Sequence, residues 1–223
     1  MRACATRLGE DALLLRLGDA IDADTNARVH ALAARIAAER PGWLRDLVPA
    51  YASLALFVDA SAFGNDDDPL AQVEHWIEHL PEAGTGVSVQ GRLHEIPVRY
   101  GGEHGPDLDA VVEHAGLRPR DVIELHAGAE YRVAMLGFAP GFPYLLGLDP
   151  RIATPRLATP RQRVEAGSVG IGGAQAGIYP RPGPGGWRII GRSEVVLFDP
   201  ARESPSLLAP GDRLRFVPNG SPP

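Results

Sequence analysis

The feature that most constrains this chain is the stretch 137–199, in which Gly and Pro recur every few residues: GFAPGFPYLLGLDPRIATPRLATPRQRVEAGSVGIGGAQAGIYPRPGPGGWRIIGRSEVVLFD. An interior Pro costs a helix about 3 kcal/mol and an interior Gly about 1 kcal/mol relative to Ala, so no long helix is expected here. The same stretch carries large apolar residues that need burial, which argues against a disordered linker. These residues are Phe138, Phe142, Tyr144, Ile171, Ile178, Tyr179, Trp187, Ile189 and Ile190. We therefore predict strands joined by rigid, shaped loops.

Several long motifs follow one another in this part of the chain. GF-x-PGF-x-YL, the Pro-Arg dipeptides at 155–156 and 160–161, GSVGI-x-G-x-Q-x-GIYP and PGGW-x-IIGR come in that order, with HEIPVRYGGEHGPDL upstream and PGDRLRF downstream. Together they resemble the KipI family, also called allophanate hydrolase subunit 1, which includes the B subunits of bacterial ATP-dependent 5-oxoprolinases. The resemblance is close from Gly86 to the C-terminus. Before that it is looser, and rests chiefly on LVPAYASLALFVD.

The N-terminal part of the chain alternates predicted strands and helices. We expect a strand from Leu13, a helix that ends at Pro41, one or two strands in 47–59, a helix after Asp68, and a strand from Gly86. Asp22 or Asp24 is expected to cap the first of these helices, and Asp68 the second. The β-α-β-β-α-β order is typical of a ferredoxin-like split βαβ fold. The family resemblance implies the same fold.

From Arg92 onward the pattern is mostly strand and loop. The exceptions are DLDAVVEHAGL, a helix that Asp107 is expected to cap, and the short segment DVIELHAG. Residues 213–216 alternate as a half-buried strand does, and we expect a β-barrel. The resemblance specifies the type, a cyclophilin-like barrel. The predicted fold class is thus α+β, with a ferredoxin-like domain at 1–88 and a cyclophilin-like β-barrel domain at 89–223.

Composition excludes several classes of protein. A net charge of −6 and a pI near 5.6 argue against a nucleic-acid partner or an anionic membrane surface. No apolar run approaches the roughly 20 residues of a membrane span, and we expect a cytoplasmic protein. All 22 basic residues are Arg, so the chain has no P-loop lysine, no Schiff-base lysine and no biotinylated lysine. The single Cys4 cannot form an internal disulfide and lies in a terminus that we expect to fray.

The positive evidence for a site comes from arginines that follow prolines. Pro155-Arg156 and Pro160-Arg161 repeat one dipeptide five residues apart, and each proline stiffens the backbone that presents its arginine. A guanidinium held in this way can grip a carboxylate or phosphoryl group with two parallel hydrogen bonds. The alternative is that either arginine pairs with a neighbouring carboxylate of the protein. We predict catalytic roles for Arg161 and Arg156.

Four further polar groups of this region are predicted to bind the substrate, namely Gln175, Tyr179, Arg192 and Tyr144. The first three could line one pocket, and Tyr144 has the alternative of a partner interface. Tyr179 has the alternative of a core residue with a satisfied hydroxyl, and Trp187 is expected to be a packing anchor. The segment GFAPGFPYL, which includes Phe142, is expected to form an apolar rim at a contact with a second protein of the enzyme.

For three other groups of residues that resemble functional sites, a purely structural role is the alternative. Ser168 lies in AGSVG, which looks like a nucleophile elbow, but no helix is predicted to follow it and every histidine precedes it. His75 and His79 are four residues apart on a predicted helix, and since no third ligand has an obvious place we expect a solvated helix face and no metal site. His126 is either a structural histidine or an acid-base group.

The resemblance implies a function as well as a fold. It implies the B subunit of an ATP-dependent 5-oxoprolinase, which acts with separate A and C subunits to open the lactam of 5-oxo-L-proline to L-glutamate with ATP cleavage. ATP would be bound with or by a partner protein, and the chain alone would be inactive. Two alternatives are a KipI-like module that inhibits a histidine kinase, and a carboxyltransferase-like half of a urea carboxylase or allophanate system. The latter would need a biotinyl domain from outside this chain.

Overall fold

The computed structural model describes residues 4–64, 68–80 and 91–220. The chain divides into two compact units, Met1–Gln90 and Gly91–Pro223. In the described ranges no helix is both long enough and apolar enough to cross a bilayer.

In its described residues, the first unit is a small sheet with two α-helices. Its elements are β1 (Cys4–Arg7), β2 (Ala12–Arg16), α1 (Ala23–Glu39), β3 (Leu44–Pro49), β4 (Ser53–Val58), a 3-10 turn (Ala60–Phe63) and α2 (Pro69–Glu78). In the described part of this unit the strands are ordered β1-β2-β4-β3, and every pairing is antiparallel. The order from β2 to α2 follows the predicted split βαβ pattern. The strand predicted from Gly86 lies outside the described residues.

Side-chain caps begin both of these helices, as the sequence predicts. Asp22 accepts a hydrogen bond from the backbone N of Thr25, and Asp68 accepts one from the backbone N of Ala71 ahead of α2. The expectation of a frayed terminus around Cys4 is wrong. β1 forms a hairpin with β2 and occupies one edge of the sheet, because its backbone groups find partners there.

The second unit is built around a barrel. Its elements are β5 (Leu93–Tyr100), α3 (Leu108–Ala115), α4 (Pro119–Gly128), β6 (Tyr131–Leu136), β7 (Pro143–Leu146), a 3-10 turn (Pro150–Ile152), β8 (Arg161–Val164), β9 (Ser168–Gly172), β10 (Gln175–Ile178), β11 (Gly183–Gly185), β12 (Arg188–Arg192) and β13 (Arg213–Pro218).

Seven strands of the described residues close the barrel in the order β10-β7-β6-β13-β5-β12-β9. β13 runs parallel to β5, and the other pairings are antiparallel. As its alternation predicts, β13 buries Leu214 and Phe216 while Arg213 and Arg215 face outward. The interior is an aliphatic core that includes Ile96, Val133 and Ile171. Outside the barrel, β8 and β11 pair as a two-stranded ribbon, which brings the arginine-bearing loops next to the strands β9 and β10.

Candidate functional site

Four of the six predicted site residues line two separate cavities of the second unit. The first, which we call the aromatic pocket, has a volume of about 170 Å³ and is lined chiefly by Phe138, Phe142, Tyr144, Arg156, Tyr179 and Trp187. The second, the polar groove, has a volume of about 650 Å³, and its lining includes Arg99, His104, Arg192, Ser193 and Glu194. Arg192 therefore lines a different cavity from Tyr179, with which it was expected to share a pocket.

The floor of the aromatic pocket depends on two glycines. A Cβ on Gly172 would lie 2.5 Å from Trp187, and a Cβ on Gly177 would lie 2.9 Å from the same indole and 3.0 Å from Phe142. Such approaches are too close for any side chain, so glycine is required for the indole to lie against the backbone of β9 and β10. Gly172, in the GSVGIGG segment, and Gly177 thus make room for the Trp187 indole.

Phe142 is the centre of the aromatic cluster. Its ring centroid lies 5.0 Å from that of Tyr144, 5.2 Å from Tyr179 and 5.6 Å from Trp187, with the rings edge to face. The side chain is only 2% exposed, so Phe142 cannot form the apolar rim that the sequence suggests. Phe138, in the same segment, is 61% exposed and takes the outer position.

Arg156 brings positive charge to the pocket. Its guanidinium carbon lies 5.5 Å from the ring centroid of Trp187, a cation-π geometry. Within the described part of the chain no carboxylate forms an ion pair with it. Of the two predicted arginines, Arg156 is the one whose donors are open to a ligand anion.

Arg161 has a carboxylate partner within the protein. Its two terminal nitrogens each donate to an oxygen of Asp107 at 2.8 Å, and Asp107 also accepts from the backbone N of Ile189 at 2.7 Å. The hydrogen bond to Asp107 raises the pKa of Arg161 above its usual value. The side chain of Asp107 is 7% exposed, so the pair ties β8 to β12 and to the start of α3. Contact between Arg161 and a ligand stays a prediction. In the structure, the two terminal nitrogens of its guanidinium donate to Asp107.

Sequence reasoning misassigned Asp107. We expected it to cap α3, yet its side chain makes no capping hydrogen bond. An Asp directly before a helix is a strong signal for a cap. The neighbouring sequence does not indicate that its partner is an arginine 54 residues away. The one available signal was the alternative that a Pro-Arg guanidinium pairs with a carboxylate.

Tyr179 presents a protonated phenol at this site. It is 2% exposed, and burial raises its pKa, while the backbone N–H of Trp187 and the charges of Arg156 and Arg161 act in the opposite direction. A Cβ on Gly185 would fall on the phenolic oxygen, so a glycine there makes room for it. With the phenol protonated at neutral pH, its oxygen can donate to a neighbouring acceptor.

Gln175 and Arg192 lie outside the aromatic pocket. Gln175 is 8% exposed at the start of β10, opposite Gly172 of β9. Arg192 ends β12, lines the polar groove, and donates from Nε to the carbonyl O of Ala166 at 3.1 Å. Gln175 and Arg192 lie on two different strands, β10 and β12, so nearness in sequence did not predict a shared cavity.

The other two candidates of the second unit, Ser168 and His126, are buried. Ser168 is 5% exposed within β9, and the next element is the strand β10, as expected for a residue that is not a nucleophile elbow. His126 is fully buried, with Nδ1 2.8 Å from the hydroxyl of Tyr100, and burial lowers its pKa to about 3. His126 is thus neutral and internal, which favours the structural alternative.

In the first unit, a third possible metal ligand accompanies the histidine pair. Glu78 lies with His75 and His79 on α2, and one ligand atom from each lies within 4.8 Å of the others. The argument against a metal site, that no third ligand has a place, is therefore wrong.

Comparison with known proteins gives consistent matches along the chain. The family model "Carboxyltransferase domain, subdomain C and D" matches residues 3–208. The B subunit of 5-oxoprolinase from Bacillus subtilis (strain 168) is 43% identical over 218 residues, which is 95% of this chain and 90% of that protein. The B subunit of 5-oxoprolinase from Escherichia coli O157:H7 is 41% identical over 220 residues, which is 97% of this chain and 96% of that protein.

Solved structures share the fold. The crystal structure of TTHA0988 is 40% identical, with a TM-score of 0.80, and the match covers 95% of this chain but only 41% of that one. The K. lactis urea amidolyase matches 96% of this chain and 15% of its own, with a TM-score of 0.72 and 21% identity, which supports the fold alone. The predicted α+β class with a barrel domain is confirmed.

Proposed function

The chain belongs to the family of carboxyltransferase-domain subdomains C and D, and within it to the group of 5-oxoprolinase B subunits; on that premise we propose that it is the B subunit of an ATP-dependent 5-oxoprolinase. The observation that carries the proposal is identity of 43% and 41% to two proteins of that name over nearly the whole of each chain. The domain division at residues 88 and 89 and a cytoplasmic location, where ATP is available, belong to the same proposal.

The proposed reaction explains why a cationic pocket is useful. A lactam is a poor electrophile because its nitrogen donates electrons into the carbonyl group. Transfer of the ATP γ-phosphoryl group to the carbonyl oxygen makes the carbon more electrophilic, so that water can add to it. The C–N bond of this adduct then breaks with the amine as leaving group, which opens the ring and leaves an acyl phosphate, and a second water releases phosphate and glutamate. Both the substrate carboxylate and the transferred phosphoryl group are anionic, and fixed guanidinium groups stabilise such charges.

The aromatic pocket is the part of this chain that best suits the substrate. Its apolar rings can cover a small cyclic amide, Arg156 offers a cation with no described carboxylate partner, and Tyr179 offers a hydrogen-bond donor. We assign Arg156 to the substrate carboxylate or the phosphoryl group. Tyr144 and Tyr179 form the walls that orient the ring.

The other predicted residues take supporting roles. Arg161 is a positioning residue, because its ion pair with Asp107 fixes the ribbon strand β8 that follows Pro160 at the pocket edge. Arg192 faces the polar groove and Gln175 lies within the sheet, so substrate contact by either requires a second binding region. Because the chain has no lysine to bind phosphate, we assign the remaining nucleotide contacts to the C subunit. We further propose that activity requires the A subunit as well.

The test is reconstitution with the A and C subunits from the same genome. We expect 5-oxoproline-dependent release of phosphate and glutamate from the complex and none from the isolated chain. Turnover by the isolated chain, free of contaminants, would overturn the assignment of nucleotide contacts to a partner subunit. A folded complex that leaves 5-oxoproline untouched would overturn the function itself. Carboxylation of urea with a biotinylated partner would instead support the carboxyltransferase alternative.

Within that complex, Arg156→Lys tests the assignment of the pocket. Lysine keeps the charge but loses the planar fork, so we expect kcat/KM to fall about ten- to a hundredfold while the melting temperature stays unchanged. The matched control is Arg163→Lys, whose exposed guanidinium pairs with Glu165 on the same ribbon, and which we expect to retain activity. Equal kcat/KM values for the two variants would remove Arg156 from the site.

A further inference from the structure

The last turn of α2 and the residue that follows it, His79, carry a set of side chains that the proposed function does not use. The sequence there is His75-Trp76-Ile77-Glu78-His79, which places two histidines and a glutamate at helix positions i, i+3 and i+4. Residues at this spacing share one face of a helix. One possible ligand atom from each of the three lies within 4.8 Å of the others, and all three side chains are exposed.

A hydrogen bond already orients one of the ligands. Nδ1 of His79 lies 2.7 Å from the carbonyl O of His75, and since a carbonyl can only accept, Nδ1 carries the proton. The lone pair of His79 is therefore on Nε2. Metal-binding histidines are commonly held in this way, with the second ring nitrogen donating to a backbone carbonyl.

The opposite face of α2 keeps the ligand spacing fixed. Leu70 and Val73 are buried in the core of the first unit, and Trp76 packs edge to face on Trp43 with 5.3 Å between ring centroids. The ring centroids of His75 and His79 are 4.1 Å apart on the outer face. The helix that presents the ligands is thus anchored by packing.

We propose that His75, Glu78 and His79 bind a divalent transition-metal ion, with zinc as the best match. Two imidazoles and a carboxylate form a set found at zinc sites, where water takes the fourth position. In a tetrahedral site, donors at about 2.1 Å from the zinc ion lie about 3.4 Å apart, so side-chain rotations that move the donor atoms by about 1–2 Å close the site. This proposal concerns the first unit and is independent of the activity proposed above.

The site is proposed for binding and not for hydrolysis. The order H-x-x-E-H occurs in inverted zinc proteases, in which the glutamate acts as a base near the metal. That chemistry needs a cleft that excludes bulk water, whereas these three side chains are exposed on the helix surface. Glu78 is accordingly assigned as a ligand.

Calorimetric titration of the untagged full chain with zinc chloride, after treatment with a chelator, tests the site. We expect one zinc ion per chain with an affinity that falls at least about tenfold in His75→Ala and in His79→Ala. Glu78→Gln, which removes the charge and keeps the shape, is expected to weaken binding less. The control is His114→Ala, since His114 is an exposed histidine in the last turn of α3, and this variant should bind like the parent.

Two readouts make the outcome decisive. Circular dichroism melts establish that each variant is folded, and cobalt in place of zinc should give visible absorption bands that disappear in His79→Ala. No zinc binding by the parent, or equal affinity in the parent and in both alanine variants, would overturn the site.

Discussion

Asp107 takes a role that its position in the sequence does not indicate. It precedes α3 as a helix cap would, but its buried carboxylate needs compensation for lost hydration, and Arg161 and the backbone N of Ile189 supply it. A capping hydrogen bond would satisfy a backbone N–H of α3 but would leave the negative charge of Asp107 without a cationic partner. The ion pair therefore decides where the side chain points.

Replacing Arg161 with Lys should measure what this ion pair contributes. A lysine can donate to one carboxylate oxygen of Asp107 but cannot bridge both, so we expect the free energy of unfolding in urea to fall by about 1–3 kcal/mol. Arg163→Lys at an exposed pair should cost less than about 1 kcal/mol. If Arg161→Lys is as stable as that control while the complex loses activity, Arg161 contacts ligand and its structural role is minor.

His126 predicts a specific pH dependence of stability. Burial lowers its pKa to about 3, below the usual value of about 6.5, so between these values the unfolded chain binds a proton that the folded chain excludes. Stability must then fall as pH decreases through this window, by about 1.4 kcal/mol per pH unit from this group. Urea unfolding from pH 6 to pH 4 should give a slope shallower by about that amount in His126→Gln. Parallel slopes for the two proteins would show that His126 titrates normally.

At the scale of elements, the glycines of β9 and β10 set the position of Trp187. Gly172→Ala would place a methyl group 2.5 Å from the indole, and we expect a loss of about 1–3 kcal/mol in the free energy of unfolding. Gly183→Ala on β11 is the matched control, because a Cβ there meets nothing within 4 Å. Fluorescence of Trp187 should shift only in the first variant. Equal stability of the two variants would mean that the indole has room to move.

Local signals predicted most elements, and long-range contacts account for what they missed. The caps Asp22 and Asp68, the Gly/Pro-rich strands and the alternation of β13 are properties of neighbouring residues, and each is found as expected. The separation of Arg192 from Arg156 follows from how the barrel closes, which spacing along the chain does not encode. A barrel was expected from the strand-and-loop pattern and its type from the family resemblance, whereas β1 was missed because four residues give too short a pattern.

At the scale of the whole molecule, Phe138 is the residue that best fits an interface with another protein of the enzyme. It has a positive φ of 64°, a conformation that non-glycine residues rarely adopt, and its side chain is 61% exposed. Strained residues that are kept at a pocket edge often serve binding. The ring sits 5.3 Å from Phe142 and 6.2 Å from Tyr179, centroid to centroid, so a partner that covered it would also close the aromatic pocket.

Phe138→Asp should therefore weaken assembly with the C subunit while this chain stays folded, because an exposed side chain contributes little to the core and a charge is costly in an apolar contact. Ile21→Asp, at a residue 56% exposed in the first unit, is the control for adding a surface charge. Size-exclusion chromatography of each variant mixed with the C subunit should show reduced co-elution for Phe138→Asp alone, with both variants melting near the parent temperature. Phe142→Asp is unsuitable for this purpose, since a carboxylate at that 2% exposed position would disrupt the aromatic cluster. Unchanged co-elution of Phe138→Asp would place the partner on another face, and the aromatic pocket would then have to bind its ligand without being covered by the C subunit.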